Sequence, residues 1–113
     1  MTVNEISQKL DFKIIAGTSE LLTKNVSGVY TCDMLSYAMA KVNQGDIWIT
    51  VHTNLNVIAV ASLTDCACIL IPDNIEIYNQ TIERANEKEV IILTSGKSAA
   101  ELCYEIYKTL KDL

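Results

Sequence analysis

Proline occurs once, at Pro72, and glycine four times, so the chain has little material for long irregular loops or disordered tracts. Basic residues are few and scattered: nine Lys and Arg stand against fourteen Asp and Glu, for a net charge of -5. Binding a phosphate backbone takes clustered Lys and Arg, so nucleic acid is not an expected partner. Long apolar runs are missing as well. The longest, Val57 to Ile71, is broken by Ser62, Thr64 and Asp65 and falls short of the roughly 20 residues that a membrane span needs. The opening residues, Met-Thr-Val-Asn-Glu-Ile-Ser-Gln, have neither a basic start nor an apolar run, so no signal peptide is expected. A cytoplasmic protein with no membrane association is the expectation. In that compartment Cys32, Cys66, Cys68 and Cys103, set among apolar neighbours, are expected to stay reduced and to pack as small hydrophobes.

What remains is hydrophobic and patterned. Half of the 113 residues are hydrophobic and a fifth are charged, which suits one core and one domain, 1-113, with short connections. The densest apolar stretch, Gly45 to Ile71, holds the only Trp and the only His. It reads as a strand from Ile47 to Val51, a polar turn at His52-Thr53-Asn54, a helix from Leu55 to Thr64 and a strand from Ala67 to Ile71. Period alone leaves Leu55 to Thr64 open between strand and helix; the crossover that two parallel strands require decides for helix.

Around that unit, Thr2 or Asn4 caps a helix through Leu10, and Phe12 to Ala16 is a strand. Gly17 to Lys24 turns, and Val26 to Tyr30 is a short strand in which Gly28 permits a bulge or close packing. Asp33 is expected to cap a helix carrying Met34, Leu35, Ala38, Met39 and Val42, stopped by Asn43-Gln44-Gly45. A polar helix starts at Asn79 or Thr81 and runs to Lys88, and Val90 to Leu93 is an apolar strand. Ser98 caps a last helix with Leu102, Ile106 and Leu110 in one stripe, joined by Cys103, Tyr107 and Leu113. The alternation predicts an α/β, single-domain layered fold with a largely parallel central sheet flanked by helices.

Chemistry is less conspicuous than fold. Gly96-Lys97-Ser98 before a helix has the makings of an anion site, but a phosphate-binding loop needs an earlier glycine where Ile91 stands in a strand. Cys66 and Cys68, alternate residues of a strand, would share a face and suggest metal ligands with Cys32, Cys103 and His52; one intervening residue is too few for structural zinc, and no metal or cofactor is expected. Asp33 and Asp46 are possible paired carboxylates, each equally explained as a cap or turn residue. Ser62 lies in an apolar helix without a nucleophile elbow. His52 follows a parallel strand, where open α/β sheets bind ligands. With Thr50, Thr53 and Asn54 it would share the strand ends with Thr94, Ser95, Gly96, Lys97 and Ser98, and these nine are the candidate ligand-binding residues.

Val26-Ser27-Gly28-Val29-Tyr30, Gly45-Asp46-Ile47-Trp48-Ile49-Thr50 and Asn56-Val57-Ile58-Ala59-Val60-Ala61-Ser62, with the strands and closing helix that follow, resemble a stand-alone DRTGG-domain protein. The chain is also similar to the N-terminal domain of HPr kinase/phosphorylase and, more distantly, of Mur ligases, where a similar Gly-Asp pair opens a strand. It departs from the name: no Asp-Arg-Thr-Gly-Gly string occurs, and the nearest polar turns are Gly45-Asp46 and Thr94-Ser95-Gly96. The resemblance implies an accessory module, found beside CBS domains in regulated pyrophosphatases or beside phosphotransacetylase catalytic domains.

The function expected is therefore a non-enzymatic regulatory or protein-interaction module, homodimeric, with a protein partner of unstated identity. Tyr30, Tyr37, Tyr78, Tyr104, Tyr107, Met34 and Met39 supply residue types favoured at interfaces. The alternative is a sensor that binds an anionic small molecule or nucleotide at the strand C-terminal ends. An enzyme ranks last.

Overall fold

In the computed structural model, which describes residues 1–111, helices and strands alternate as the apolar pattern requires. Helix α1 is Val3–Leu10 and strand β1 Lys13–Ala16; a single 3-10 turn at Leu21–Thr23 leads to β2, Gly28–Thr31. There follow α2 (Leu35–Lys41), β3 (Asp46–Ile49), α3 (Asn56–Thr64), β4 (Cys68–Ile71), α4 (Asn79–Glu87), β5 (Ile92–Thr94) and α5 (Ala99–Lys111).

The sheet is ordered β1-β5-β4-β3-β2, with β2 to β5 parallel and β1 antiparallel to β5. Each crossover from β2 to β5 steps one strand in the same direction, so the common hand of such crossovers puts α2, α3 and α4 on one face. Ala38, Val57, Ile58, Ala61 and Ala85 from these helices close a core layer on Trp48, Ile69, Ile71 and Ile92. On the other face Val3 and Ile6 of α1 and Leu102 and Ile106 of α5 pack on Ile47, Ile49, Leu70 and Leu93. β3 and β4 are buried along their whole length, which is why their sequences are apolar runs without alternation. Trp48 is fully buried, and its indole N–H donates to the Cys32 carbonyl at 3.0 Å. That bond satisfies the one polar atom of a large core side chain.

Local details refine the sequence reading. Thr2, rather than Asn4, caps α1, in a capping box with Glu5. Asp33 does not cap α2: the N-cap is Met34, which makes no side-chain bond. Gly28 serves close packing, because a Cβ there would stand 2.6 Å from Asp46 Oδ1. Cys66 and Cys68 do not share a face. Cys66 lies in the turn before β4 and joins the α2–α4 layer, while Cys68 joins the α1/α5 layer. Leu113 lies outside the described residues. No helix among the described residues is long and apolar enough to cross a membrane.

Candidate functional site at the strand C-terminal ends

The chain leaves each parallel strand at one end of the sheet, and the candidate residues fall there in two clusters. The first stands over β2 and β3. Asp33 Oδ1 accepts hydrogen bonds from the Thr50 hydroxyl and the Val51 N–H, both at 3.0 Å. Thr50 is buried, and its Oγ1 accepts in turn from the His52 N–H at 3.3 Å. The His52 Nε2 bonds the Asp33 carbonyl oxygen. A carbonyl only accepts, so Nε2 carries a proton. The His52 ring is thereby fixed by backbone, half-buried, with Nδ1 as its remaining polar atom. Asn54 Oδ1 accepts from the Asn56 N–H at 3.0 Å and so stabilises the first turn of α3. The Thr53 carbonyl accepts from the buried Thr81 hydroxyl of α4 at 2.7 Å, tying this loop to the neighbouring helix.

The second cluster stands over β4 and β5. The Thr94 hydroxyl and Ser95 N–H donate to the Ile71 carbonyl, and Asp73 and Asn74 return N–H bonds to the carbonyls of Lys97 and Ser95. Asp73 and Asn74 both take positive φ, 59° and 55°, which turns the chain back against Gly96. A Cβ on Gly96 would stand 2.9 Å from Asn74 Nδ2. Ser95 Oγ accepts from the Lys97 N–H at 3.2 Å.

Lys97 and Ser98 are both engaged within the chain. The Lys97 ammonium forms a two-oxygen bridge to Glu105, at 2.6 and 2.9 Å. That hydrogen bonding, and then the Glu105 charge, hold the ammonium above its ordinary range. Ser98 and Glu101 form a capping box at the start of α5: the Glu101 N–H donates to Ser98 Oγ, and the Ser98 N–H to Glu101 Oε1. A carboxylate thus already faces the amides on which the anion reading rests. No hydrogen bond joins the two clusters among the described residues.

Sequence reasoning missed Asp33 as the hub of the first cluster, Asn74 as the cover of Gly96, and Glu105 as the partner of Lys97. Only the Ser98-x-x-Glu101 pair carried a readable signal, the spacing of a capping box. Asp46, the other half of the possible carboxylate pair, opens β3 at the opposite sheet end and accepts from the Asn43 N–H at 2.8 Å. The two carboxylates are therefore apart. Burial pushes the Cys66 thiol up to about 11, and Cys68 well above its ordinary value. Metal binding needs thiolates, which this environment disfavours, and no cluster of metal-ligating side chains is found among the described residues.

Concavities of about 320, 370 and 550 Å³ share Lys24 as a wall and lie at the other, strand N-terminal end. None of these three is lined by a candidate residue. There the Lys24 ammonium donates to Asp65 Oδ1 at 3.3 Å and to the Cys66 carbonyl at 3.2 Å, and Gln44 Nε2 donates to Asp65 Oδ2 at 2.8 Å.

Fold and loops together define a small α/β domain with a four-strand parallel run closed by one antiparallel strand. The chain belongs to the DRTGG domain family, whose model matches residues 5–109. Among solved structures it is similar to the CBS and DRTGG domains of the regulatory region of Clostridium perfringens pyrophosphatase, complexed with its activator diadenosine tetraphosphate. Identity is 14%, the TM-score 0.70, and the match covers 88% of this chain and 43% of that one. The likeness therefore extends over less than half of the neighbour's chain, and it is a likeness of fold. No curated protein matches.

Proposed function

We propose that the chain is a non-enzymatic regulatory module that works as a homodimer, joined along the outer edge of β2. One observation carries the reading. The open edge of the sheet carries Tyr30 on β2, and the helices that flank it expose residues suited to an interface: Met34, Tyr37 and Met39 in and just before α2, and Tyr104 and Tyr107 on α5. Tyr37, Met34, Met39, Tyr104 and Tyr107 are 42, 61, 48, 65 and 51% exposed. α5 packs across β2 from one face, and Tyr37 of α2 lies beside Tyr30 on the other. Burial, and then Tyr37, raise the Tyr30 phenol. Aromatics and Met are enriched in interface cores, and a free strand edge offers main-chain groups for pairing. A stable pair buries at least about 600 Å² per copy, about a tenth of the 6186 Å² surface.

Sedimentation equilibrium tests this. A dimer that Tyr104→Ser/Tyr107→Ser converts to monomer is the expected result, and a monomeric wild-type protein would refute the reading.

A second reading, an anion sensor at the strand C-terminal ends, is favoured by the start of α3, α4 and α5 at that end. The neighbour's activator is itself a polyanion. Thr50, His52, Thr53, Asn54 and Thr94 to Ser98 would hold the ligand there, and releasing Lys97 from Glu105 would be the step that admits it. Thermal-shift titration with diadenosine tetraphosphate should then show tighter binding for Glu105→Gln than for the parent. No stabilisation of either protein counts against this reading.

A further inference from the structure

Helix α3, Asn56-Val57-Ile58-Ala59-Val60-Ala61-Ser62-Leu63-Thr64, has no charged residue; its polar side chains are the exposed Asn56 and Ser62 and the part-buried Thr64. A helix this apolar and without a charged face is normally buried over most of its surface. This one is buried only toward the sheet, through Val57, Ile58, Val60 and Ala61. Its outer side is open, with Leu63 70% and Leu55 38% exposed and Ala59 exposed between them. The open side forms one wall of a groove of about 280 Å³ against α4, and the groove's charged lining is cationic, Arg84 and Lys88.

The charge pattern is unusual for this molecule. The whole chain carries -5, yet a groove floored by Leu55, Ile58, Ala59, Ser62 and Leu63 is bordered by two cations. Arg84 makes a long ion pair with Glu87, 3.6 Å between two well-exposed side chains, a weak contact that an incoming carboxylate can replace. Leu55 to Leu63 spans about 12 Å at 1.5 Å per residue, the length over which a docked helix places apolar anchors at i, i+4 and i+7.

We infer that the α3/α4 groove is a docking site for an acidic amphipathic helix of a protein partner. Its apolar residues would cover Leu55, Ala59 and Leu63, and its Asp or Glu side chains would meet Arg84 and Lys88. This site lies apart from the β2 edge and does not depend on the dimer.

The test is selection of a phage-displayed library of random peptides against the full chain, with affinities of the selected peptides measured on variants. Peptides with apolar residues spaced i, i+4 and flanking acidic residues should emerge. They should lose about tenfold or more in affinity on Leu63→Ser and on Arg84→Glu/Lys88→Glu. Both variants alter exposed side chains, and circular dichroism melting checks that each stays folded. Tyr104→Ser/Tyr107→Ser should leave peptide binding unchanged, which separates this site from the dimer edge. Recovery of no peptide, of basic peptides, or of peptides that bind Leu63→Ser as tightly as the parent would overturn the inference. So would conversion of a native dimer to monomer by Leu63→Ser, because a second copy would then be the occupant.

Discussion

Asp33 shows how much one carboxylate organises when its partners lie in another loop, just past β3. It takes hydrogen bonds from Thr50 and Val51, and its own carbonyl holds the His52 ring. Asp33→Ala strands a buried Thr50 hydroxyl and should cost about 2–3 kcal/mol in urea unfolding followed by Trp48 fluorescence. Asp33→Asn keeps the acceptor oxygen and should recover most of the loss; equal loss in both would deny the carboxylate oxygen this role. From sequence alone the same residue reads as a helix cap, since Asp before an amphipathic run is the usual signal and nothing local announces partners in the loop after β3. Cys66 and Cys68 were misread for a related reason. Parity along a strand holds only within it, and β4 begins at Cys68. Burial gives these thiols a measurable signature. Below pH 9 both folded and unfolded states keep the Cys66 proton; between about 9 and about 11 the unfolded chain loses it while the folded one does not. Stability should therefore fall as pH rises through that window, by up to about 2–3 kcal/mol for this thiol. The slope should flatten in Cys66→Ala, and an unchanged slope would show that other groups govern the alkaline limb.

Among the elements, those with strong apolar patterns were legible and their ends were not. β3 and β4 stand where continuous apolar runs put them, and the crossover argument correctly made Leu55 to Thr64 helical. Their boundaries moved by one or two residues, because end positions depend on pairing across the sheet. β5 starts at Ile92 rather than Val90, which matches its pairing with β4 and β1. The turn from α2 to β3 was read for the right residue and an incomplete reason. Gly45 has φ 84°, and a Cβ there would collide with Ser27 Oγ. Both conformation and contact forbid a side chain, so Gly45→Ala should cost about 1–2 kcal/mol in thermal or urea unfolding. Gly96→Ala should cost less, since Gly96 does not have a positive φ and its contact, the end of the Asn74 side chain, is the less close of the two. Equal losses would place the strain elsewhere. The candidate site was legible as a place, the end of the parallel strands, but not as an arrangement. The bridge from Lys97 to Glu105 links a loop to a helix eight residues on, a separation that no helical register marks.

For the molecule as a whole, the two sheet borders are unequal. β1, equal to β2 in length, carries an exposed Lys13 and slips register between Ile14 and Ala16. A lysine and a bulge are each devices that discourage strand addition. At the other border, Met1 and Val3 reach across to the residues just before β2, through Val3 N–H to Lys24 and Val26 N–H to Met1, and not to β2 itself. Gly28–Thr31 is left without an outer partner strand. An assembly built by strand pairing can therefore proceed only head to head, β2 on β2 about a twofold axis, and the first pairing consumes the site that a third copy would need. The antiparallel first strand then acts as a terminator. An assembly of the proposed kind would then be finite, so raising concentration should fill dimers without growing fibres. Replacing Lys13 with a β-branched apolar residue should relax that limit, seen as higher oligomers in light scattering.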